Sequence, residues 1–387
     1  MTKAPKTLSA AKTKAKDPKL CAAVNCPDLG KPTPIPDSEQ VCKWTLSLCS
    51  FHGRILQDDN KLHLARERGI KGQIAMQTIG EFDRAFGTDE QCRRFLVQMR
   101  WPDGVRCPRC DRKEKVYALK ARPFHWACKN EDCGKRQGFR FSVISGTIFE
   151  NTKKPLDLWF KVGYLMLTSK KGMSALQIHR VMFGENSTHD YHTSWFMCMR
   201  WRAAMAGDMY RPLSGEVEVD ETYIGGKDRN RHKNKKSAQV RKAKGAQRLG
   251  EAVGFGKVGV IGAIERKGNV VARVIGSMDA PTLGSFVRRA TDEKVTLVAT
   301  DENPAYKFVR AGMPHQAVSH ARGEYVHGNV HTNSIESFWA LLKRGIVGNY
   351  HNVSKKYLPF YLNEFSYRFN NRKNENMFAD LITTCAQ

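Results

Sequence analysis

The sequence contains no apolar run long enough to cross a bilayer, since every such run is short and broken by lysine, arginine or glycine. Residues 1–19 are rich in lysine and lack the apolar core that a secretory signal needs. The eleven cysteines are odd in number and unevenly clustered, which argues against a disulfide scaffold. These absences argue against a membrane-spanning or a disulfide-rich secreted protein, and they predict a protein of the reducing cytoplasm with no membrane partner.

Acidic residues are also scarce relative to basic ones. The 387 residues include 38 Asp and Glu against 64 Lys and Arg, which gives a formal net charge of +26. Solubility alone needs a much smaller excess of charge. A field of this sign attracts polyanions, and neutralisation of phosphates explains it best. The composition therefore predicts a nucleic-acid partner.

The chain is long for one hydrophobic core, and its character changes along its length. We predict a basic, poorly ordered N-terminal extension at 1–75 and a cysteine-rich region at 76–148. A helical segment with the outline of a helix-turn-helix follows at 149–212. An α/β domain at 213–387 is predicted to carry a basic insertion at 227–250, which is too polar to pack and is interpreted as a DNA-contacting loop.

The last region has the clearest pattern. Residues 216–226 alternate apolar and polar positions, which predicts a half-buried strand with an acidic face. Residues 258–277 predict a β-hairpin with glycine in its turn. A short helix at 281–291, a buried strand at 295–301 and an amphipathic helix at 333–348 complete the series. Strand, hairpin, helix, strand and late helix is the order of a ribonuclease-H-like core.

Two cysteine pairs have the spacing of zinc knuckles. Cys107 and Cys110 form a CxxC pair, and Cys128 and Cys133 form a wider CxxxxC pair. Two thiolates from each turn give Zn²⁺ a closed tetrahedral shell, which is typical of a structural site. The pattern predicts a zinc ribbon with one structural Zn²⁺ ion. The alternatives are four ordinary core cysteines, or His125 in place of one ligand.

A second group of possible zinc ligands lies near the N-terminus. Its spacing fits no established zinc pattern, so these residues either form a second zinc site or are ordinary thiols and an ordinary imidazole. The group comprises Cys21, Cys26, Cys42, Cys49 and His52.

Three acidic residues occupy successive elements of the α/β region. Asp220 lies on the polar face of the first strand, Asp301 ends a buried strand, and Glu336 lies on the late helix. Carboxylates that converge from such elements can hold two Mg²⁺ or Mn²⁺ ions for phosphoryl transfer. Lys343 lies two helical turns beyond Glu336 on nearly the same face, where it can hold a DNA phosphate.

Each acidic residue also has a simpler interpretation. Asp220 and Glu221 can be solvated strand residues, and Asp301 can start a turn. Glu336 can pair with Asn333 in a helix capping box. The three residues in the expected order favour catalysis over these separate explanations.

Several segments resemble the zinc-ribbon DDE transposases of bacterial insertion sequences, the ISXO-like family. The resemblance extends from about residue 80 to about residue 375, outside the N-terminal extension. The segments that carry it are RWPDGVRCPRC, FSVISGTIFENTKKPLDLW, YLMLTSKKGMSALQI, VEVDETYIGGK, TDENPAYKFV and HTNSIESFWALLKRGIVGNYHNVSKKYLPFYLNEFSYRFNNR.

The resemblance implies a ribonuclease-H-like catalytic domain behind a zinc ribbon and a helix-turn-helix-like segment. It implies that Asp220 and Asp301 are metal ligands. The third ligand is Glu336 or Asn333, and we favour Glu336 because an anionic oxygen binds Mg²⁺ better than an amide does. Two histidines, His327 and His331, flank the same helix, and His331 either approaches a phosphate or is structural.

The implied activity is cleavage of DNA at the ends of a mobile element and joining of the freed 3′ ends to target DNA. The partners are the element's terminal inverted repeats, the target DNA and further copies of the chain, because both ends must be held together. The implied location is the bacterial cytoplasm, at the nucleoid. Two other interpretations stay open: a nuclease on the same core that cuts but does not join, and a DNA-binding descendant without activity.

Overall fold

The structure is a computed structural model that describes residues 78–133, 138–185, 187–207, 212–225, 257–301, 303–308, 313–318 and 331–386. The predicted N-terminal extension with its cysteine group, the basic insertion and His327 lie outside these ranges, so their interpretations stay predictions. Within the described ranges, no helix is both long and apolar enough to span a membrane.

The N-terminal module begins with two short helices, α1 (Ile79–Phe86) and α2 (Asp89–Arg100). Each starts with a capping box, in which a threonine hydroxyl and the side chain three residues later satisfy each other's backbone N–H groups. An antiparallel sheet follows, in the order β1 (Val116–Ala118), β2 (His125–Cys128) and β3 (Phe139–Ser142). This sheet lies in the region where the sequence predicts a zinc ribbon.

Three helices complete the N-terminal part of the chain: α3 (Leu156–Thr168), α4 (Ala175–Phe183) and α5 (Tyr191–Ala204). The pair α4 and α5 has the helix, turn and helix order that the sequence predicts. α5 packs against α3, α4 and helices from the end of the chain, so only Tyr191 and His192 in its first turn are exposed.

The C-terminal module is built on a five-stranded mixed sheet in the order β6-β5-β4-β7-β8. Its strands are β4 (Leu213–Ile224), β5 (Val258–Glu265), β6 (Val270–Ile275), β7 (Thr291–Thr300) and β8 (His315–Ala317). β4 is parallel to β7, which is parallel to β8, while β5 is antiparallel to both β4 and β6. β5 therefore runs against the other four strands, and the predicted hairpin is confirmed.

Helices cover both faces of this sheet. α6 (Ala280–Ala290) packs on one face, and α7 (Asn333–Gly345) and α8 (Leu358–Asn370) pack on the other. α7 continues directly into a π-helical turn, Ile346–Tyr350. The buried stripe predicted for the late helix is confirmed, because its apolar side chains face the sheet.

The two modules are joined by the last helix and by a buried ion pair. α9 (Met377–Ala386) lies in the core of the N-terminal module, against α2, α3 and α5. Arg202 of α5 and Glu364 of α8 are fully buried, and their side chains are 2.7 Å apart. The Tyr350 hydroxyl also donates to Glu364, at 2.9 Å. Arg368 of α8 lies 3.5 Å from the same carboxylate, so Glu364 is compensated from both modules, and its pair with Arg202 links them.

Candidate active site and zinc site

The four cysteines of the predicted knuckles meet in the N-terminal module. Their sulfur atoms lie within 4.8 Å of one another, with 3.6 Å between Cys107 and Cys133 and 3.8 Å between Cys110 and Cys128. His125 lies outside the group, with its Nδ1 atom 2.8 Å from the backbone carbonyl oxygen two residues earlier. Four converging sulfur ligands suit a closed, tetrahedral Zn²⁺ site.

Polar groups donate to several of the cysteine sulfurs, while burial raises the pKa of the Cys107 and Cys133 thiols. The buried Asn130 amide donates to the sulfur of Cys128 at 3.2 Å and lies 3.7 Å from that of Cys110. The backbone N–H of Arg109 donates to the sulfur of Cys107 at 3.4 Å. Burial raises the pKa of the Cys128 thiol, but the hydrogen bonds from Asn130 outweigh it and lower the pKa to about 7. Such surrounding bonds orient and tune metal ligands, and the cysteine spacing gives no signal of Asn130.

A second group of possible ligands lies at the centre of the mixed sheet. Asp220 is on β4, and Asp301 directly follows the end of the parallel neighbour β7. Because Glu218 pairs with Ala299, the register places Asp220 and Asp301 side by side. Together with Glu221, they offer carboxylate oxygens that lie within 4.8 Å of one another. Oxygen ligands of this kind suit hard divalent cations.

Burial and mutual repulsion both act on these carboxylates. Burial raises the pKa of Asp220 to about 6, and the charges of Asp301 and Glu336 contribute to the rise. Burial likewise raises the pKa of Glu221 to about 7, with contributions from Asp301 and Asp220. A divalent cation at this position would stabilise the ionised carboxylates, so the chemistry of the group fits a metal site.

Glu336 lies outside this group of three carboxylates. It is exposed in the first turn of α7, where its Oε1 atom accepts a hydrogen bond from the Thr332 hydroxyl at 3.1 Å. Thr332, not Asn333, is the N-cap residue, so the capping-box interpretation of Asn333 and Glu336 is wrong. The two candidate third ligands, Asn333 and Glu336, both lie in the first turn of α7, the helix whose Trp339 contacts Asp220. Lys343 is exposed in the last turn of that helix.

Two family models match the chain. A transposase zinc-ribbon domain matches residues 87–136, which contain the four clustered cysteines. An ISXO2-like transposase domain matches residues 212–370, which contain Asp220, Asp301 and Glu336. The chain therefore contains a domain similar to ISXO2-like transposase domains, preceded by one similar to transposase zinc ribbons.

Comparison with individual proteins agrees with this assignment. A protein of Halobacterium salinarum described as an "Uncharacterized protein in transposable element ISH50" is 27% identical to this transposase over 290 residues. The alignment covers 74% of this chain and 92% of that protein. No solved structure matches the chain.

Glu218 is a residue of the transposase site that the sequence alone did not single out. Its buried carboxylate accepts hydrogen bonds from the backbone N–H groups of Ser334, at 2.7 Å, and Ile335, at 3.2 Å, and from the Ser334 hydroxyl at 3.0 Å. Arg266 donates to it at 3.1 Å, and His331 Nδ1 also lies 3.1 Å away. A negative charge is favourable at a helix N-terminus, so Glu218 fixes the start of α7 on β4. Among the described residues, His331 Nδ1 makes no hydrogen bond, so both interpretations of this histidine stay predictions.

The loop that follows β7 surrounds the other carboxylates. Asp301 Oδ1 accepts the backbone N–H of Asn303 at 3.1 Å, which is the turn that the sequence offered as an alternative to metal binding. A carboxylate has two oxygens, so this turn is compatible with a ligand role. The side chain of Asn303 donates to Glu221 Oε1 at 3.4 Å. The buried hydroxyl of Tyr306 lies beside Glu221, and burial and this charge raise the pKa of Tyr306.

The zinc site generates a first prediction. The full-length transposase should contain one Zn²⁺ per chain, and Cys107→Ser should lose it together with the ordered ribbon. Structural zinc contributes on the order of 10 kcal/mol to the folding of such small units, which exceeds the stability that the ribbon could retain without it. Elemental analysis and thermal unfolding measure the two effects.

Cys92→Ser is the matched control, because Cys92 is a buried free cysteine outside the group of four. It should keep the zinc. A folded, metal-free wild-type protein would show that the four cysteines are ordinary core residues. Two Zn²⁺ ions per chain would instead support the second group at residues 21–52.

Proposed function

We propose that this transposase cuts DNA at the ends of its insertion sequence and joins the freed ends to target DNA. The observation that carries the proposal is the meeting of Asp220 and Asp301 on adjacent parallel strands inside the ISXO2-like transposase domain. The formal charge of +26 supports a DNA substrate, because lysine and arginine neutralise the phosphates of a bound nucleic acid. The proposed partners are the element's terminal inverted repeats and the target DNA.

The proposed fold of the C-terminal module is ribonuclease-H-like. The strand order β6-β5-β4-β7-β8, with only β5 antiparallel to the rest, supports this assignment. The first carboxylate then lies on the central strand, the second at the end of its neighbour, and the third on a helix that packs across β4. This is the arrangement that the sequence resemblance implies.

Two divalent cations, Mg²⁺ or Mn²⁺, fit the oxygen ligands that Asp220 and Asp301 supply. Bound ions of this kind activate the attacking oxygen and stabilise the leaving oxygen of a phosphodiester. The residues themselves fix where such ions can bind, because both carboxylates belong to hydrogen-bonded strands at the centre of the sheet. Since the pKa of Asp220 is raised to about 6, protons compete with cations for this carboxylate below that pH.

Glu336 is the third ligand that we propose. Its carboxylate is exposed, and its charge acts on Asp220 across the face of β4. Asn333 is the alternative from the sequence, but its amide is a weaker ligand for Mg²⁺ than an anionic oxygen. Glu221 is the alternative from the structure. Its carboxylate already interacts with Asn303 and the adjacent tyrosine, which favours a supporting role.

DNA contacts are proposed on both modules. Lys343 is exposed two turns beyond Glu336 on nearly the same face of α7, which suits a phosphate contact beside the acidic site. The zinc ribbon and the helix pair α4 and α5 are proposed to recognise the element's ends. The reaction needs two ends in one complex, so the active form is proposed to be a homo-oligomer. Its substrate would locate it at the nucleoid in the cytoplasm.

Two other functions predict different products. A nuclease on the same core would cut the element's ends without joining them to a second DNA. A DNA-binding descendant would bind the ends and do neither. Incubation of the transposase with labelled ends and a target plasmid separates the three outcomes, because only transposition yields joined products.

The acidic site generates a second prediction. Asp220→Asn and Asp301→Asn should each reduce strand cleavage more than about 100-fold, since loss of one anionic oxygen disrupts the cation site. Binding to the element's ends should stay within about twofold of wild type, because neither substitution changes the basic surface. Cleavage of labelled ends and a mobility-shift assay measure these quantities.

Glu293→Gln is a suitable control, because Glu293 is an exposed carboxylate on the same strand that precedes Asp301. This variant should cleave normally. Wild-type cleavage rates in Asp220→Asn or Asp301→Asn would contradict the assignment of the site.

The third ligand generates a separate prediction. Glu336→Gln should reduce cleavage by a similar factor, and Asn333→Asp should not restore it. Glu221→Gln should retain more activity than Glu336→Gln, because Gln can still accept a hydrogen bond from Asn303. Cleavage rates and thermal melts of each variant distinguish these roles. A normally active Glu336→Gln beside an inactive, folded Glu221→Gln or Asn333→Ala would show that the third ligand is one of those residues instead.

A further inference from the structure

The indole of Trp339 lies against the strand that carries the first proposed metal ligand. We propose that Trp339 is a positioning residue for Asp220, and that the absence of a side chain at Gly262 is what allows it to reach this carboxylate. The inference rests on the proposed function, because it assumes that Asp220 is a metal ligand. It concerns residues that neither touch a cation nor belong to the acidic group.

The first step is the hydrogen bond itself. Trp339 Nε1 donates to Asp220 Oδ2 at 3.1 Å, and the Trp339 side chain is only 3% exposed. An indole N–H is a donor only, so its direction is fixed once the ring is packed. One oxygen of the carboxylate is therefore held by the protein, and this restricts the rotation of the group.

The indole of Trp339 occupies space that a side chain at residue 262 would otherwise fill. Gly262 on β5 is paired directly with Asp220 on β4. A Cβ atom at Gly262 would lie 2.6 Å from both Cη2 and Cζ2 of Trp339 and 3.1 Å from Cδ1 of Ile335. Glycine weakens the interior of a strand, and where it occurs there it often marks a place that another group approaches closely. The ring can lie on β5 and reach the neighbouring carboxylate only because Gly262 has no side chain.

The third step is the position of the helix. α7 is anchored at its N-terminus by Glu218, which accepts the backbone N–H groups of Ser334 and Ile335. Trp339 follows Ile335 by four residues, about one helical turn, and so lies on the same face. The N-terminus of α7 therefore contacts Glu218, and the indole of Trp339 contacts Asp220 on the same strand. Asp220 is then held by the same helix that carries Glu336.

A simpler explanation is that Trp339 is a core residue whose N–H merely needs an acceptor, since a buried indole N–H usually has one. The two explanations differ in what happens to cation binding when the N–H is lost. A core role predicts a change in stability alone. A positioning role predicts weaker cation binding in a protein that remains folded.

The test is Mn²⁺ binding to the full-length, zinc-loaded protein, measured by electron paramagnetic resonance without DNA. Trp339→Phe should weaken binding at the acidic site about 10- to 100-fold, the usual range for residues that support a metal ligand. Trp159→Phe is the matched control, because Trp159 is equally buried and its Nε1 donates to Thr152 at 2.8 Å, far from this site in the fold. It should bind Mn²⁺ as wild type does.

Gly262→Ala should weaken Mn²⁺ binding in the same way, because the added methyl group displaces the ring. Gly276→Ala is its control, since a Cβ atom at Gly276 meets nothing within 4 Å. In the Asp220→Asn background, Trp339→Phe should have no additional effect, because the anionic ligand that Trp339 positions has already been removed. If Trp339→Phe does not fold, replacing Trp339 with benzothienylalanine keeps the ring's shape and removes only the N–H.

The outcomes distinguish a failure of the inference about Trp339 from a failure of the proposed metal site. Weak binding in Asp220→Asn with normal binding in the folded Trp339→Phe or benzothienylalanine protein would overturn the inference and leave the proposed function intact. Normal binding in Asp220→Asn itself would overturn the proposed metal site. Weak binding in Asp220→Asn, Trp339→Phe and Gly262→Ala, with normal binding in both controls, is the expected result.

Discussion

The placement of helix α7 on strand β4 depends on one buried carboxylate, that of Glu218. A buried charge is costly unless it is compensated, and Glu218 accepts two backbone N–H groups at a helix start, a serine hydroxyl and the Arg266 guanidinium. These bonds both stabilise the charge and fix the rotation and position of the helix. Together with the apolar face of α7 that packs on the sheet, this anchor sets the position of Glu336 and the contact of Trp339 with Asp220.

The architecture also links the N-terminal module, which is proposed to recognise DNA, to the acidic site. The zinc ribbon and the helix pair share one core, and the last helix, α9, returns to that core after the sheet is complete. The buried pair of Arg202 and Glu364 connects α5 with α8, which packs on the same face of the sheet as α7. DNA bound to the N-terminal module would therefore be held by a helix, α5, that contacts α8, and α8 packs on the same face of the sheet as α7.

Local sequence patterns were sufficient for much of this description. The hairpin, the apolar stripe of α7 and the cysteine spacing depend on neighbours within a few residues, and the structure confirms them. β4 is a strand as predicted, but the half-buried acidic face was wrong, because helices cover both faces of the sheet and Glu218 is fully buried. The prediction of a capping box between Asn333 and Glu336 was wrong. The backbone N–H groups at the start of the helix are accepted by Glu218, which lies 116 residues before Ser334 in the chain. The place of Glu221 in the acidic group, the contact of Trp339 with Asp220 and the return of α9 were missed for the same reason, since only tertiary contacts reveal them.

The central claim is that β4 and β7 bring Asp220 and Asp301 together to hold divalent cations. The most direct test is anomalous diffraction from crystals of the transposase with an element end and Mn²⁺. The account predicts Mn²⁺ peaks within about 2.5 Å of carboxylate oxygens from both aspartates, with the Trp339 indole still bonded to Asp220. A fully occupied, DNA-bound complex with Mn²⁺ peaks elsewhere and none at these two residues would contradict it.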